Sequence, residues 1–188
     1  MLTAHLVDDV RAAEASLAAT LPEGELMRRA ARGLADHLEF VPPGELALML
    51  IGPGNNGGDA LYAAAHLLDR GVRVDLCLLD DVKVHADGLR AAMAAGARVV
   101  EAPAGHRFCV DAIFGIGARA GLSGKAAEWA DWITEVRPHT VAVDVPSGVD
   151  VDGATLAASY VGADSTITFG TYKNALLANP ASQAAGRG

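Results

Sequence analysis

Four polar clusters interrupt an otherwise apolar sequence and hold the side chains best placed for chemistry: Asn55 to Asp59, Asp111, Gly115 to Gly121, and Asp144 to Ser147. The first belongs to the stretch Gly52-Pro53-Gly54-Asn55-Asn56-Gly57-Gly58-Asp59, with the apolar run Leu46 to Ile51 before it and the Ala- and Leu-rich run Ala60 to Leu68 after it. A strand, a glycine turn and a helix N-terminus cradle an anion, because glycine admits close backbone approach and free N–H groups and the helix dipole face the ligand. Gly52, Gly54 and Gly57 spell G-x-G-x-x-G, a weak signal that the strand-before, helix-after context strengthens. Asp75 and Asp80 lie near where a ribose-binding acid would be sought. Yet Pro53 stiffens the loop, and Asn55-Asn56 adds amides that a pyrophosphate-only loop does not need. Asp59 reads equally as a helix cap and as a ligand contact.

The elements that must position these clusters follow from periodicity. Leu6, Val7, Val10, Ala13 and Leu17 recur at helical spacing and predict a helix over 3–20. A second helix is expected over 23–39, with Leu26, Met27, Ala30, Leu34 and Leu38 on one face. Both read as packing elements, and an apolar face left over after covering the sheet would suit a homodimer. Strands are expected at 46–51, 72–79, 98–100, 108–114, 140–143 and 166–169, and further helices at 60–68, 87–95 and 123–136. Trp129 and Trp132 of the last helix read as core or interface anchors. Alternation of strand and helix implies an α/β fold: a doubly wound, mostly parallel sheet with helices on both faces, a Rossmann-like three-layer sandwich. Ligands of such sheets bind beyond the carboxyl ends of the strands, where all four clusters fall.

The chain has 188 residues, of which 51% are hydrophobic, enough for one well-cored domain over 1–178. Residues 179–188, rich in Ala and Gly, read as a flexible tail or a truncated linker. No apolar run approaches the roughly 20 residues of a membrane span, and no basic-then-apolar leader opens the chain, so a cytoplasmic protein without a membrane partner is expected. Cys77 and Cys109 lie in apolar runs and read as buried thiols. A formal charge of −8 without a basic run argues against nucleic acid as a partner. The histidines are scattered and offer no zinc spacing. Gly121-Leu122-Ser123-Gly124-Lys125 imitates the end of a P-loop, but Arg119 replaces its first glycine and Ala126 its Ser or Thr.

Three ordered stretches, Gly54 to Asp59, Val110-Asp111-Ala112-Ile113-Phe114-Gly115-Ile116-Gly117, and Val143-Asp144-Val145-Pro146-Ser147-Gly148-Val149-Asp150, resemble the signatures of the NAD(P)HX epimerases, the N-terminal domain of the bacterial NAD(P)HX repair enzymes (the YjeF N-terminal type). Leu2-Thr3-Ala4 and Leu26-Met27-Arg28-Arg29-Ala30 also resemble that family's opening. The resemblance implies interconversion of the R and S epimers of hydrated NADH and NADPH. It implies substrate contacts from Asn55, Asn56, Gly57, Gly58 and Asp59, from Gly115, Ile116, Gly117, Ala118, Arg119, Ala120 and Gly121, and from Asp144. It implies potassium as cofactor, with Asn56, Asp111 and Ser147 as ligands. A C-terminal ADP/ATP-dependent dehydratase domain often accompanies this one, and this chain does not include it. Ala60 and Ala31 replace glycines usual in the family, and Ala60 is expected to crowd the phosphate loop slightly.

The residues make independent sense of those roles. An amide oxygen, one carboxylate and one hydroxyl are hard donors suited to a hard cation, and a single carboxylate suits a monovalent one. Asp111 capping a turn and Ser147 bonding a backbone N–H is the plainer alternative. Epimerisation requires proton transfer near the hydrated carbon. Asp144, at a strand end before a Pro-stiffened turn, is the candidate catalytic acid–base, its pKa expected to rise by partial burial. A simple turn aspartate is the alternative. Lys173, after the sixth strand, could assist. Two other functions compete: an NAD-dependent oxidoreductase using the glycine loop, and a catalytically silent binding module.

Overall fold

The computed structural model describes residues 2–186. In chain order its elements are β1 (Ala4–His5), α1 (Val7–Ala18), α2 (Glu25–His37), β2 (Leu46–Ile51), α3 (Asn55–Asp69), β3 (Arg73–Leu78), α4 (Ala86–Ala95), β4 (Arg98–Val99), β5 (Phe108–Ala112), α5 (Lys125–Val136), β6 (His139–Val143), β7 (Val149–Asp150), β8 (Thr155–Leu156), β9 (Ser165–Ile167), β10 (Tyr172–Lys173) and α6 (Asn174–Leu177), then a 3-10 turn, Ala181–Gln183.

The main sheet is parallel throughout, in the order β4-β3-β2-β5-β6-β9. Apolar side chains on both sides of β2 explain its central place: Ala47, Met49 and Ile51 face a core shared with α2, α3 and α4, while Leu48 and Leu50 face Cys77, Cys109 and the α5 side chains Trp129, Ala130 and Ile133. The expected three-layer α/β sandwich is what these contacts build. The chain runs outward from β2 to β4 on one side and from β5 to β9 on the other. The order therefore reverses between β2 and β5, the place where doubly wound sheets open a crevice. Backbones meet closely there: the Gly52 N–H donates to Ala112 O at 3.0 Å, and a Cβ on Gly52 would lie 1.6 Å from Ile113 O. Only glycine fits.

Two nonlocal pairings were not visible in the periodicity. Residues expected to begin the first helix instead form β1, which pairs in parallel with β10 through Ala4–Tyr172 and His5–Lys173. The α1 helix follows, its Val7 N–H donating to Asp152 Oδ1 at 2.9 Å. A small hairpin, β7–β8, closes beside it. The segment from Asn179, expected to be loose, is packed. Ala181, Ala184 and Ala185 are buried, and Ala181 and Ala184 join a core with Val151, Ala154 and Ala175. Ala184 O accepts from Ala163 N–H and Ala185 O from Thr166 Oγ1, both at 2.8 Å. Small residues misled composition here, because alanines that fit a tight core and alanines of a linker look alike. Residues 187 and 188 lie outside the described residues. Among the described residues no helix is long and apolar enough to cross a membrane.

Removing residues 179–188 should cost at least about 2 kcal/mol in urea unfolding, from the alanine methyls and backbone hydrogen bonds lost. A loss below about 0.5 kcal/mol would mean that the segment contributes nothing to the fold.

Candidate active site

At the carboxyl edge of the sheet a cleft of about 930 Å³ opens between α1, the start of α3 and the loop after β5. Helix α3 begins at Asn55, five residues earlier than the sequence indicates; the Gly57-Gly58 pair reads as a turn but is helical. Gly54, at φ +83°, precedes it, and no side chain caps it, so the first N–H groups of α3 are left for a ligand. Asn55, Asn56 and Asp59 project from this first stretch into the cleft wall. Asp59 is therefore not the cap.

Gly57 and Gly58 do not line the cleft, and packing explains their lack of side chains. A Cβ on Gly57 would lie 2.2 Å from Gly52 O, and one on Gly58 2.9 Å from the Met27 methyl. Ala60 is fully buried in the core shared with α2, away from the cleft, so it does not crowd the loop. From the second glycine loop, Gly115, Ile116, Gly117, Ala118, Arg119 and Gly121 line the cleft, and Ala120 does not. Asp75 and Asp80 are not ribose acids. Asp75 lies buried in mid-β3, accepting from Arg98 and from His106, and Asp80 accepts the Val82 and Lys83 N–H groups of its own turn.

Asp144 ends β6 in the left-handed region, φ 70°, a conformation unusual for a residue with a side chain. Its N–H donates to Ile167 O at 2.7 Å. Its carboxylate takes a hydrogen bond from Lys173 Nζ at 2.5 Å and another from Thr168 Oγ1 at 3.2 Å. Lys173 is fully buried, and its ammonium also donates to Thr168 Oγ1 and Phe169 O. The sequence offered Lys173 as a group to assist Asp144, and in the structure the two side chains are directly hydrogen-bonded.

Asp59 is raised to about 8, by desolvation first and then by the Asp144 and Glu14 carboxylates. Glu14 is also raised, by desolvation and by Asp144, against the pull of Lys173 and Arg11. Glu14 and Arg11 come from α1, which the sequence offered only as packing, and both line the cleft. Their position depends on the β1–β10 pairing, for which the local sequence holds no signal.

Behind the cleft, Asp111 is fully buried. It accepts from Ser147 Oγ at 2.6 Å, Ser147 N–H at 2.8 Å and Ile113 N–H at 3.2 Å. Burial raises its pKa to about 6 against those hydrogen bonds. Ser147 Oγ also reaches Phe114 O at 3.2 Å. The Asn56 amide lies against Gly115, and its buried Nδ2 has no hydrogen-bond partner. Turning that amide over puts an oxygen on the orphaned position. One carboxylate, one hydroxyl, one carbonyl and one amide make a hard-oxygen set with little charge, and they fit a hard cation of low charge. Among the described residues no cluster of His, Cys, Asp and Glu offers a site for a softer or more highly charged metal.

The family model and the curated relatives agree on one family. A family model described as "YjeF-related protein N-terminus" matches residues 23–175. The chain is 44% identical over 200 residues to the NAD(P)H-hydrate epimerase of Microbacterium testaceum, covering 99% of this chain and 76% of that protein. It is 39% identical over 177 residues to the bifunctional NAD(P)H-hydrate repair enzyme Nnr of Mycobacterium tuberculosis, covering 90% of this chain but 37% of that protein. Among solved structures, that of yeast ynu0 shares the fold, with a TM-score of 0.77 at 20% identity over 92% of this chain and 82% of that one.

A buried carboxyl with a raised pKa costs stability as pH climbs. Relative to an unfolded Asp59 near 3.8, the folded protein loses stability from that range up to about 8 and levels off above it. Asp59→Asn should therefore be more stable than wild type at pH 8, by at least about 1 kcal/mol or roughly 2–4 °C in Tm. The gain should shrink toward pH 5. A gain independent of pH, or none, would mean that Asp59 titrates as an ordinary carboxyl.

Proposed function

The chain belongs to the YjeF-related protein N-terminus family, and from that premise we propose that its cleft epimerises NAD(P)H hydrate, the reaction for which its relatives are named. It is accordingly an isomerase of nicotinamide cofactor repair. Asp144 carries the assignment to this cleft. A strained backbone aims its carboxylate at the strand-end crevice, and a fully buried ammonium is dedicated to holding it.

Inversion of the hydrated carbon follows from proton transfer at its hydroxyl. Protonation lets the hydroxyl leave as water, the ring nitrogen takes up the positive charge as an iminium, and water returns from the opposite face with loss of a proton. Asp59, raised to about 8, holds the proton that the departing hydroxyl requires, and Asp144, oriented by Lys173, takes the proton lost as water returns. The carboxylate that Asp59 becomes on giving up its proton favours the cationic ring over the neutral hydrate, so the wall acts more strongly as charge develops. Asn55, Asn56, Asp59 and the loop Gly115 to Gly121 hold the substrate. Gly57 and Gly58 contribute by letting α3 pack where its free N–H groups face the ligand. Either hydrate, NADHX or NADPHX, satisfies these contacts. Epimerisation is the reaction we assign to this cleft.

Incubation with one purified hydrate epimer, followed by chromatography of the other, tests the reading directly. Wild type should equilibrate the pair well above the spontaneous rate. Asp144→Asn should lose about 10²- to 10⁴-fold in rate, the usual contribution of a general acid–base group. Hydrate binding should weaken far less, and a melting curve should verify that the variant is folded, since it leaves Lys173 with neutral acceptors only. Near wild-type turnover would transfer the proton-carrying role to another group.

Potassium is the cation we assign to Asn56, Asp111 and Ser147, the residues that would hold it. When bound it would supply positive charge and rigidity beside the cleft. A cation bound only by the folded state stabilises it by RT ln(1 + [L]/Kd). Tm should be higher in potassium than in sodium or lithium at equal ionic strength, and Asp111→Ala should erase the difference. Wild-type melting indifferent to the cation would remove the ion from the site.

A further inference from the structure

The substrate of the proposed reaction is a polyanion, while Glu14 and Asp144 line the cleft and the chain carries a net charge of −8. Something must offset that repulsion. Lys173 is committed to Asp144. The cations that line the cleft are Arg11 and Arg119. Neither makes an ion pair or a side-chain hydrogen bond among the described residues, whereas Arg28, Arg29, Arg90, Arg98 and Arg107 are all paired with carboxylates.

Their placement is specific. The Arg11 guanidinium lies over the second glycine loop: a Cβ on Gly117 would come within 2.7 Å of Arg11 Nη2. Arg119 stands two residues further along the same loop, so two unpaired guanidiniums flank Gly117 and Ala118. Across the cleft, α3 presents its uncapped N-terminus at Asn55 and Asn56. Arg11 is held there by the framework: α1 is anchored at its start by the Val7–Asp152 hydrogen bond and by β1–β10 pairing. Residue 11 also lies outside the 23–175 region matched by the family model.

We infer that Arg11 is a substrate-phosphate contact, which together with Arg119 clamps a phosphoryl group of the hydrated dinucleotide against the glycine loop. A guanidinium fork suits a phosphate better than an ammonium does, because it donates two parallel hydrogen bonds. The clamp fixes the phosphate end, leaving the nicotinamide end beside Asp144, where a ring that becomes cationic is welcome among carboxylates. This inference rests on the proposed substrate; the phosphoryl group is either the pyrophosphate, present in both hydrates, or the 2′-phosphate, present only in NADPHX.

The test compares wild type, Arg11→Gln and Arg11→Lys, measuring steady-state epimerisation and calorimetric Kd with purified NADHX and NADPHX. Arg11 is exposed, so its replacement leaves the core intact. Arg11→Gln should raise KM and Kd roughly tenfold or more, the scale of a charge-assisted hydrogen bond, with kcat within about twofold. Arg11→Lys should recover only part, and the salt dependence of binding should flatten in both variants. Equal losses for both hydrates identify the pyrophosphate; a loss confined to NADPHX identifies the 2′-phosphate. Unchanged KM and Kd for both hydrates would overturn the clamp while leaving the epimerase reading intact. A wild type that binds the hydrates without epimerising them would overturn that reading, and the Kd comparison would still decide the clamp.

Discussion

A fully buried ammonium cannot persist without a carboxylate and a complete set of acceptors, and the layout of the cleft follows from that requirement. Lys173 meets it with Asp144, Thr168 and the Phe169 carbonyl. These groups come from the end of β6, the stretch after β9, and β10 itself. Satisfying one side chain thus fixes the relative positions of three segments. β10 in turn pairs with β1, through which α1 is laid across the mouth of the cleft. Removing either charge would leave the other buried and alone, a situation that typically costs 3–5 kcal/mol. The same contact that orients the proposed proton carrier therefore holds together the wall around it.

Charge along that wall is divided unequally. Asp144 stands against an ammonium. Asp59, which lines the same cleft, faces carboxylates instead and is driven up to about 8 by burial and by that repulsion. Two carboxyls in one cleft thereby occupy opposed environments, the arrangement by which proteins obtain an acid and a base from the same functional group. Glu14 contributes to the division from α1, the helix that also carries Arg11. On the proposed reading a cation on the substrate ring would be favoured between them, and the substrate's phosphates where Arg11, Arg119 and the α3 N-terminus gather. The polarity of a dinucleotide bound in that way would be set by electrostatics before any shape-specific contact.

The legible part of the fold is the part specified locally. Leu46 to Ile51 forms the strand its continuous apolar run indicates, because a central parallel strand is covered on both faces and needs no alternation. The convergence of Asn55 to Asp59, Gly115 to Gly121 and Asp144 on one edge was legible too, since strand ends of a doubly wound sheet share an edge by topology. What local reading missed depends on partners distant in sequence. Ala4 and His5 are strand only because Tyr172 and Lys173 lie beside them. Ala181 and Ala184 are core only because Val151 and Ala154 receive them. Arg11 and Glu14 acquire a role only once α1 has been placed. No periodicity within the first twenty residues carries that information.

The glycine motif gives the sharpest case of a correct signal with a different physical cause. Read as a dinucleotide fingerprint, Gly52, Gly54 and Gly57 would be glycines for the sake of a phosphate. In the structure Gly52 is glycine because the Ile113 carbonyl occupies the space of its side chain, and Gly57 because the Gly52 carbonyl does. Both serve the contact of backbone with backbone at the switch point, where β2, β5 and α3 converge. Ligand chemistry is then carried by the residues between them. Tight packing brings Asn55 and Asn56 to the helix start, and it brings Asn56 up to Gly115 on the neighbouring loop. A larger residue at 52 or 57 would separate β2 from β5 and so dismantle the cleft and the proposed cation pocket together. The motif marks a binding site because it marks the one place in the sheet where two chain directions diverge closely enough for both loops to grip the same molecule.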